Sequence, residues 1–253
     1  DKNFFDNVDS IIVVSQSFDE RIPSLSTRIQ NKLGLEENIF CLDIMDGCSG
    51  YIKSLSLAQM LHSQSYEKTL IIAGDINSKM TETSDIGTKI LFGDGISISI
   101  IEKCKNVLES RLFNRGDNED IISCSVNQGS MLMNGFEVFR FTKKEVPKLI
   151  TNYLTENNIS LEDFDLVGLH QASHLVVSTI CSSIKFKNKL CEDFACEEIG
   201  NLGAGSIGAW LSQIKDLSFK GPLKMLAVGF GSGLSWGLAD VIVDVDINEV
   251  IYV

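Results

Sequence analysis

The stretch Leu42–Leu55, LDIMDGCSGYIKSL, decides the fold. It lies in an apolar run, NIFCLDIM, that ends in Asp46-Gly47. A few positions later Ile52, Leu55, Leu57, Met60 and Leu61 begin to recur at helical spacing. The run reads as a buried strand and the spacing as a helix with one apolar face, so Cys48 falls where a strand turns into a helix. The same alternation continues on both sides. SIIVVSQS (Ser10–Ser17), TLIIAGDI (Thr69–Ile76) and ISISII (Ile96–Ile101, after the turn FGDG) predict strands, and SLSTRIQNKLG (Ser24–Gly34) predicts a helix stopped by Gly34. Further along, EVFRFTKKEVPKLITNYLTENN (Glu137–Asn158) predicts a helix in which Pro147 must sit early or make a kink. FDLVGLH (Phe164–His170) reads as a strand, SHLVVSTICSSIKF (Ser173–Phe186) as a helix, and NLGAGSIGAWLSQIKD (Asn201–Asp216) as a helix entered through a glycine-rich bend. LKMLAVGFGSG (Leu223–Gly233) and WGLADVIVDV (Trp236–Val245) read as strands joined by a glycine turn. Strands alternating with helices imply an α/β protein with largely parallel sheets, here in two halves, 1–125 and 126–253, with no Pro/Ser-rich linker between them.

The bulk composition narrows the function. A chain of 253 residues with 44% hydrophobic content can bury a large core, and it has no apolar run long enough to span a membrane. A net charge of −12 argues against broad nucleic-acid binding. The opening residues lack the basic head and apolar middle of a secretion signal. Seven cysteines, an odd number without a CxxC pair, fit a reduced cytoplasmic protein better than a disulfide framework or a zinc site. Cys41, Cys104, Cys124 and Cys181 stand mostly among apolar neighbours.

In open α/β sheets, sites form beyond the carboxyl ends of strands. Three chemically useful residues fall there: Cys48 after FCLDIMDG, His170 after DLVGL, and Asn201 in IGNLGAGS. A cysteine taken at random is most often a packed one. Here the first turn of a helix offers unpaired N–H groups and a positive dipole end, and both favour the thiolate. His170 alone reads as a packed residue and Asn201 alone as a bend residue. The turn GFGSG (Gly229–Gly233) leads into a strand, so it matches neither the P-loop nor the dinucleotide fingerprint. A backbone donor for a reacting oxygen suits it better. Together these groups point to acyl chemistry on a sulfur nucleophile.

Six motifs in order, DIMDGCSGYIKSL, ILFGDG, MNGFEVFRF, HQASHLVV, GNLGAGSIG and GFGSGLSWG, resemble the β-ketoacyl-acyl-carrier-protein synthase III family of the thiolase superfamily, over nearly the whole chain. The resemblance implies a five-layered thiolase-like fold of two pseudo-symmetric α/β halves and a homodimer. It implies a catalytic set of Cys48, His170 and Asn201, with backbone oxyanion donors at Cys48 and Ser232. The acyl group would pass from acyl-coenzyme A to Cys48 and condense with malonyl carrier protein, with loss of carbon dioxide. No tightly bound cofactor and no metal are expected, since coenzyme A enters as a thioester substrate. The resemblance implies further residues before the strand SIIVV, so the N-terminal half reads as incomplete in this sequence, and the segment around Ser125–Gly129 reads as shorter than the family's. Ser173 stands where the family's histidine motif carries a cofactor-contacting asparagine. Lys185, Lys187 and Lys189 form a candidate dock for an acidic carrier protein, and a merely solvated edge is an equal reading. Two alternatives stay open: acyl transfer to an oxygen or nitrogen acceptor in a secondary-metabolite or surface-polymer pathway, and a non-catalytic partner subunit.

Overall fold

The computed structural model describes residues 4–82, 84–104, 109–116, 121–125, 130–186, 195–214 and 221–244. The first sheet contains strands β1 (Ser10–Val14), β2 (Phe40–Ile44), β3 (Lys68–Ile76) and β4 (Asp94–Glu102), in the order β2-β1-β3-β4. Strand β1 runs parallel to both neighbours and β4 turns back antiparallel to β3. The second sheet contains β5 (Glu109–Asn114), β8 (Leu166–Leu169), β9 (Leu223–Gly231) and β10 (Ser235–Val243), in the order β5-β10-β9-β8. Here β8 is parallel to β9, and β10 is antiparallel to both β9 and β5. Short strands β6 (Ile122–Cys124) and β7 (Met131–Met133) pair separately.

Helices build three further layers. Helix α1 (Leu25–Leu33) lies on the outside of the first sheet, against β1 and β2. Helices α2 (Gly50–His62) and α7 (Ser206–Gln213) lie between the sheets, with α2 touching β1 and β3 on one side and β5, β9 and β10 on the other. The second sheet is covered outside by α4 (Gly135–Asn157) and α5 (His174–Ile184). The result is five layers, with an apolar core in each of the three gaps the helices fill. Two short helices, α3 (Ile86–Lys89) and α6 (Ala195–Ile199), lie in the connections.

The halves repeat one plan. Strand β1, outer helix α1, inner helix α2 and the hairpin β3–β4 correspond to β8, α5, α7 and the hairpin β9–β10. The boundary between sheets falls earlier in the chain than residue 125. Strand β5 precedes that point, yet it hydrogen-bonds to β10 of the second sheet. Its sequence, ESRLFN, is too polar and short to announce a sheet edge. The four strands of the first sheet pair without a central gap.

Several elements differ from the reading of their sequence for physical reasons. Helix α2 was expected to show one apolar face. It is buried on most sides, because it fills the space between two sheets. Its serines are tolerated there because Ser54 donates to the Tyr51 carbonyl at 2.7 Å, and Ser56 is hydrogen-bonded to the Ile52 carbonyl at 3.0 Å and to the Ser110 hydroxyl at 2.8 Å. Pro147 sits in the interior of α4, neither early nor at an end. Gly34 caps α1 in the left-handed region, at φ 65°, as its residue type suggests. Cys104 and Cys124 are exposed, in contrast to the apolar setting their neighbours suggest. No described helix is long and apolar enough to cross a membrane.

Trp210 of α7 is 1% exposed and stacks its ring over the place where a Cβ on Gly168 of β8 would lie, 3.0 Å from Cζ3. It is the largest fully buried side chain and fills the gap between the sheets. Trp210→Ala is expected to cost about 3–5 kcal/mol by urea unfolding. A loss below about 1 kcal/mol would contradict this packing.

Candidate active site

Cys48 stands at the mouth of α2, followed by the buried Ser49, and the corner closes with a Gly50 N–H bond to the Gly47 carbonyl at 2.8 Å. The second sheet approaches this corner without side chains between them. A Cβ at Gly231 would lie 2.7 Å from Cys48 Cβ and 3.3 Å from its Sγ. A Cβ at Gly229 would meet the Cys48 carbonyl and Ser49 Cα, each at 3.2 Å. Glycines at the end of β9 therefore bring the GFGSG turn against Cys48. Ser232 Oγ lies 3.1 Å from the Cβ position of Gly47, so the turn expected to carry the second oxyanion donor borders the cysteine corner. Ser49 and Ser235 share a short hydrogen bond, and Ser235 also donates to the Ser232 carbonyl at 2.8 Å. These bonds tie the start of α2 to the same turn.

Asn201 precedes the short 3-10 turn Gly203–Gly205 that opens α7. Its backbone bridges to Phe92, and its N–H donates to the Leu91 carbonyl at 2.8 Å. The Gly203 N–H and the Ser206 hydroxyl donate to Oδ1, at 2.9 and 3.4 Å. With Oδ1 occupied by donors, the amide is oriented and its NH₂ group is left to donate. The Asn201 side chain acts on the Cys48 sulfur in the direction that favours the thiolate.

His170 follows β8 and is 1% exposed. Its N–H donates to the Val228 carbonyl at 2.8 Å, and its ring meets Phe230 edge-on with centroids 5.2 Å apart. Since Phe230 immediately precedes Gly231, one strand carries both the histidine's packing partner and the cysteine's close contact. Nδ1 is buried without a hydrogen-bond partner among the described residues.

The electrostatics overturn one expectation. Burial pushes the Cys48 thiol up to about 12, and the Asp75 and Asp46 carboxylates act in the same direction. The residue's own N–H and the Asn201 side chain pull the other way and do not prevail. The residue keeps some surface exposure, but its sulfur is enclosed by protein. Burial likewise presses His170 down to about 3, so the imidazole is neutral at ordinary pH. The substrate-free site thus holds a neutral thiol and a neutral imidazole.

Other expected residues are placed as follows. Ser173 caps α5, its hydroxyl accepting from the Val176 N–H at 3.4 Å. Lys185 lies at the opposite end of α5 from His170, about 16 Å along an 11-residue helix. Lys187, Lys189 and the segment 126–129 lie outside the described residues. Among the described residues no group of three His, Cys, Asp or Glu side chains is arranged to hold a metal ion. The sequence reading missed Asp75 and Asn77 at the end of β3. The signal was present: LIIAGDIN is an apolar run with polar groups at its carboxyl end, the criterion that selected Cys48 and His170.

Two outcomes follow from the titration behaviour. Iodoacetamide alkylation of the substrate-free protein at Cys48 is expected to accelerate about tenfold per pH unit from about pH 7 to about pH 10. A plateau near the ordinary thiol value of about 8.5 would contradict the desolvation. For His170 the unfolded chain takes up a proton that the folded site refuses. Its contribution to stability is intact above about pH 6.5 and is lost as the pH falls toward about 3, by up to about 1.4 kcal/mol per unit. His170→Gln is expected to flatten the fall in stability between about pH 6 and about pH 4, and an unchanged slope would count against burial of the ring.

The comparisons with known proteins agree with one another. The model for 3-oxoacyl-[acyl-carrier-protein] synthase III matches residues 42–116, which include Cys48, and the model for its C-terminal domain matches 154–241, which include His170, Asn201 and the glycine turn. The β-ketoacyl-[acyl-carrier-protein] synthase III of Streptococcus agalactiae is 32% identical over 248 residues, covering 91% of this chain and 76% of that protein. That of Acholeplasma laidlawii is also 32% identical, over 92% of this chain and 76% of its own. Among solved structures, the synthase III of Thermus thermophilus aligns with a TM-score of 0.86 at 24% identity, over 94% of this chain and 78% of that one. An HMG-CoA synthase complexed with CoA aligns at 0.79 with 16% identity, over 94% and 65%, and shares the fold. By motif order, family models, relatives and fold, this chain belongs to the β-ketoacyl-[acyl-carrier-protein] synthase III family of condensing enzymes and has its thiolase-like fold.

Proposed function

We propose that the protein transfers an acyl group from an acyl-coenzyme A thioester to Cys48 and condenses it with a malonyl carrier protein. The observation that carries this reading is the close approach of the glycine-rich end of β9 to Cys48, on the strand that also packs against His170. The Asn201 amide has its oxygen occupied by Gly203 and Ser206, which leaves its NH₂ group free to donate, and it acts on Cys48 in the direction that favours the thiolate. His170 stands behind Phe230 on the strand that touches the cysteine.

In the first step the sulfur attacks the thioester carbonyl. The thiol proton leaves with the departing coenzyme A sulfur, so that one thioester is exchanged for another and coenzyme A is released as the thiol. The oxyanion is met by the N–H groups of Cys48 and Ser232, each worth about 3 kcal/mol to such an intermediate. In the second step the malonyl thioester oxygen takes hydrogen bonds from His170 and Asn201, which stabilise the enolate left when carbon dioxide departs. The enolate carbon attacks the acyl-Cys48 carbonyl, the carbon–carbon bond forms, and the Cys48 thiolate is the leaving group. A neutral imidazole suits this task, because it donates without bringing a charge that the thiolate would bind too tightly.

The assembly we propose is a homodimer. The supporting feature is β2, an edge strand whose five residues are all only half-buried. The lysine dock draws no support from the placement of Lys185, far along α5 from the histidine.

Intact-mass measurement after incubation with a panel of acyl-coenzyme A thioesters is expected to show one acyl adduct, absent in Cys48→Ala. Adding malonyl carrier protein is then expected to release carbon dioxide and a 3-oxoacyl product. An adduct that passes to another acceptor without carbon dioxide would replace condensation with simple acyl transfer, and no adduct with any donor would indicate a non-catalytic subunit.

A further inference from the structure

Among the described residues Asp75 is the one buried carboxylate, and the proposed mechanism does not use it. It lies one residue from the end of β3 and is 2% exposed. Its Oδ1 accepts three hydrogen bonds from the turn that follows β1: the Ser15 hydroxyl at 2.8 Å, the Gln16 N–H at 2.6 Å and the Ser17 N–H at 3.1 Å. The next residue, Ile76, donates its N–H to Ser17 Oγ at 2.9 Å, closing the same turn. That turn supports the nucleophile from behind. The Ser15 N–H reaches the Ile44 carbonyl at the end of β2, four residues before Cys48, at 3.1 Å. Gln16 Oε1 stands 2.7 Å from the Cβ position of Gly47.

The other carboxylate oxygen faces the second half of the site. Oδ2 lies 2.8 Å from the Cβ position of Gly203, a residue held at φ 58°, whose N–H orients the Asn201 amide. Two residues on, Asn77 donates to the Gly93 carbonyl at 2.7 Å and to the Asn201 carbonyl at 3.3 Å. The end of β3 therefore grips the approach to Cys48 with one carboxylate oxygen and abuts the Asn201 loop with the other.

We propose that Asp75 is a positioning residue that fixes the Cys48 corner and the Asn201 loop at the separation acyl transfer and condensation need. The assignment rests on the catalytic reading above. A carboxylate suits the post because one oxygen can accept several N–H and O–H donors at once, which an apolar side chain of the same size cannot do. The charge has a second consequence: it adds to burial, the larger cause, in opposing a thiolate at Cys48. The other charged groups near this corner are Asp46, paired with Lys53 of α2, and Asp94 of β4, bound by Ser78. Neither spans the two loops.

The test separates position from charge. Asp75→Glu keeps the charge and moves it by one methylene, and condensation kcat is expected to fall at least about tenfold with the acyl-coenzyme A KM within about twofold. Asp75→Asn keeps an acceptor oxygen and removes the charge, and iodoacetamide alkylation of Cys48 is expected to be at least about threefold faster at about pH 8, with its pH profile displaced downward. Wild-type kcat in Asp75→Glu, or an unshifted alkylation profile in Asp75→Asn, overturns the proposal. If Asp75→Glu loses its cooperative melt, Ser15→Ala decides, since it deletes one donor and leaves the carboxylate. A several-fold lower kcat supports the clamp, and an unchanged kcat overturns it. Alkylation needs no acyl substrate. A parent protein that never turns over acyl-coenzyme A would therefore sink the catalytic reading, while the alkylation arm still reports whether Asp75 governs Cys48.

Discussion

The backbone of β9 passes the Cys48 corner with nothing but hydrogen atoms between them, and the site depends on that approach. Glycines at 229 and 231 admit it, because any side chain would meet the Cys48 or Ser49 backbone or the cysteine side chain itself. The same closeness seats α2 on the second sheet, where Ile52 lies against Gly229 and Gly237. Glycine in a strand costs about 0.5–1 kcal/mol relative to alanine, and three of them weaken a central hairpin. The burial of Met225, Leu226, Ala227, Val228 and Leu238 around them offsets that cost, so the hairpin can afford a bare surface where the chemistry needs one. Once β9 is held there, the rest follows. Phe230 brings His170, and the turn after Gly231 brings Ser232.

Much of this was legible in the sequence, for reasons that can be named. The strands SIIVV and LIIAG and the helix stop at Gly34 follow from local propensity and backbone freedom, which a linear pattern records. Cys48 and His170 stood out because each follows an apolar run, where α/β sheets place their sites, and Asn201 because it stands in a glycine-rich bend that opens a helix. What stayed hidden depends on partners far away in the chain. ESRLFN does not announce that it will pair with a strand more than 100 residues later. The even burial of α2 comes from having a sheet on each side, and no spacing within GYIKSLSLAQMLH encodes that. The thiol's raised pKa was hidden in the same way. The helix start that favours a thiolate is local, whereas the desolvation and the Asp75 charge that oppose it arise from the fold.

One cause, exclusion of water, moves the cysteine and the histidine in opposite directions and leaves both uncharged. A neutral resting pair makes physical sense for a site that must bind a thioester before it attacks. Charge then appears only in the intermediates, as an oxyanion or an enolate, where fixed donors in a poorly solvated space act most strongly. The donors that await it are held by groups that are themselves satisfied: the Asn201 oxygen by Gly203 and Ser206, and the turn of Ser232 by Ser235.

The internal repeat explains how two similar halves come to do different work. Cys48 and Asn201 both stand just before a middle-layer helix, α2 in one half and α7 in the other. His170 follows β8 as Ser15 follows β1. The equivalent places therefore meet near the centre of the molecule, and only the residue types differ. In the first half the strand-end position carries a hydroxyl that donates to Asp75, and the helix start carries the Cys48 thiol. In the second half the strand end carries an imidazole, and the helix start an oriented amide. In the proposed mechanism both donor side chains come from one half and the sulfur from the other, so the reaction coordinate crosses the boundary between halves. A group that fixes that boundary acts on chemistry without touching substrate. The end of β3 has such a place, since it bonds to the Asn201 loop of the second half beside the segment Leu91–Gly93, which pairs with the same loop.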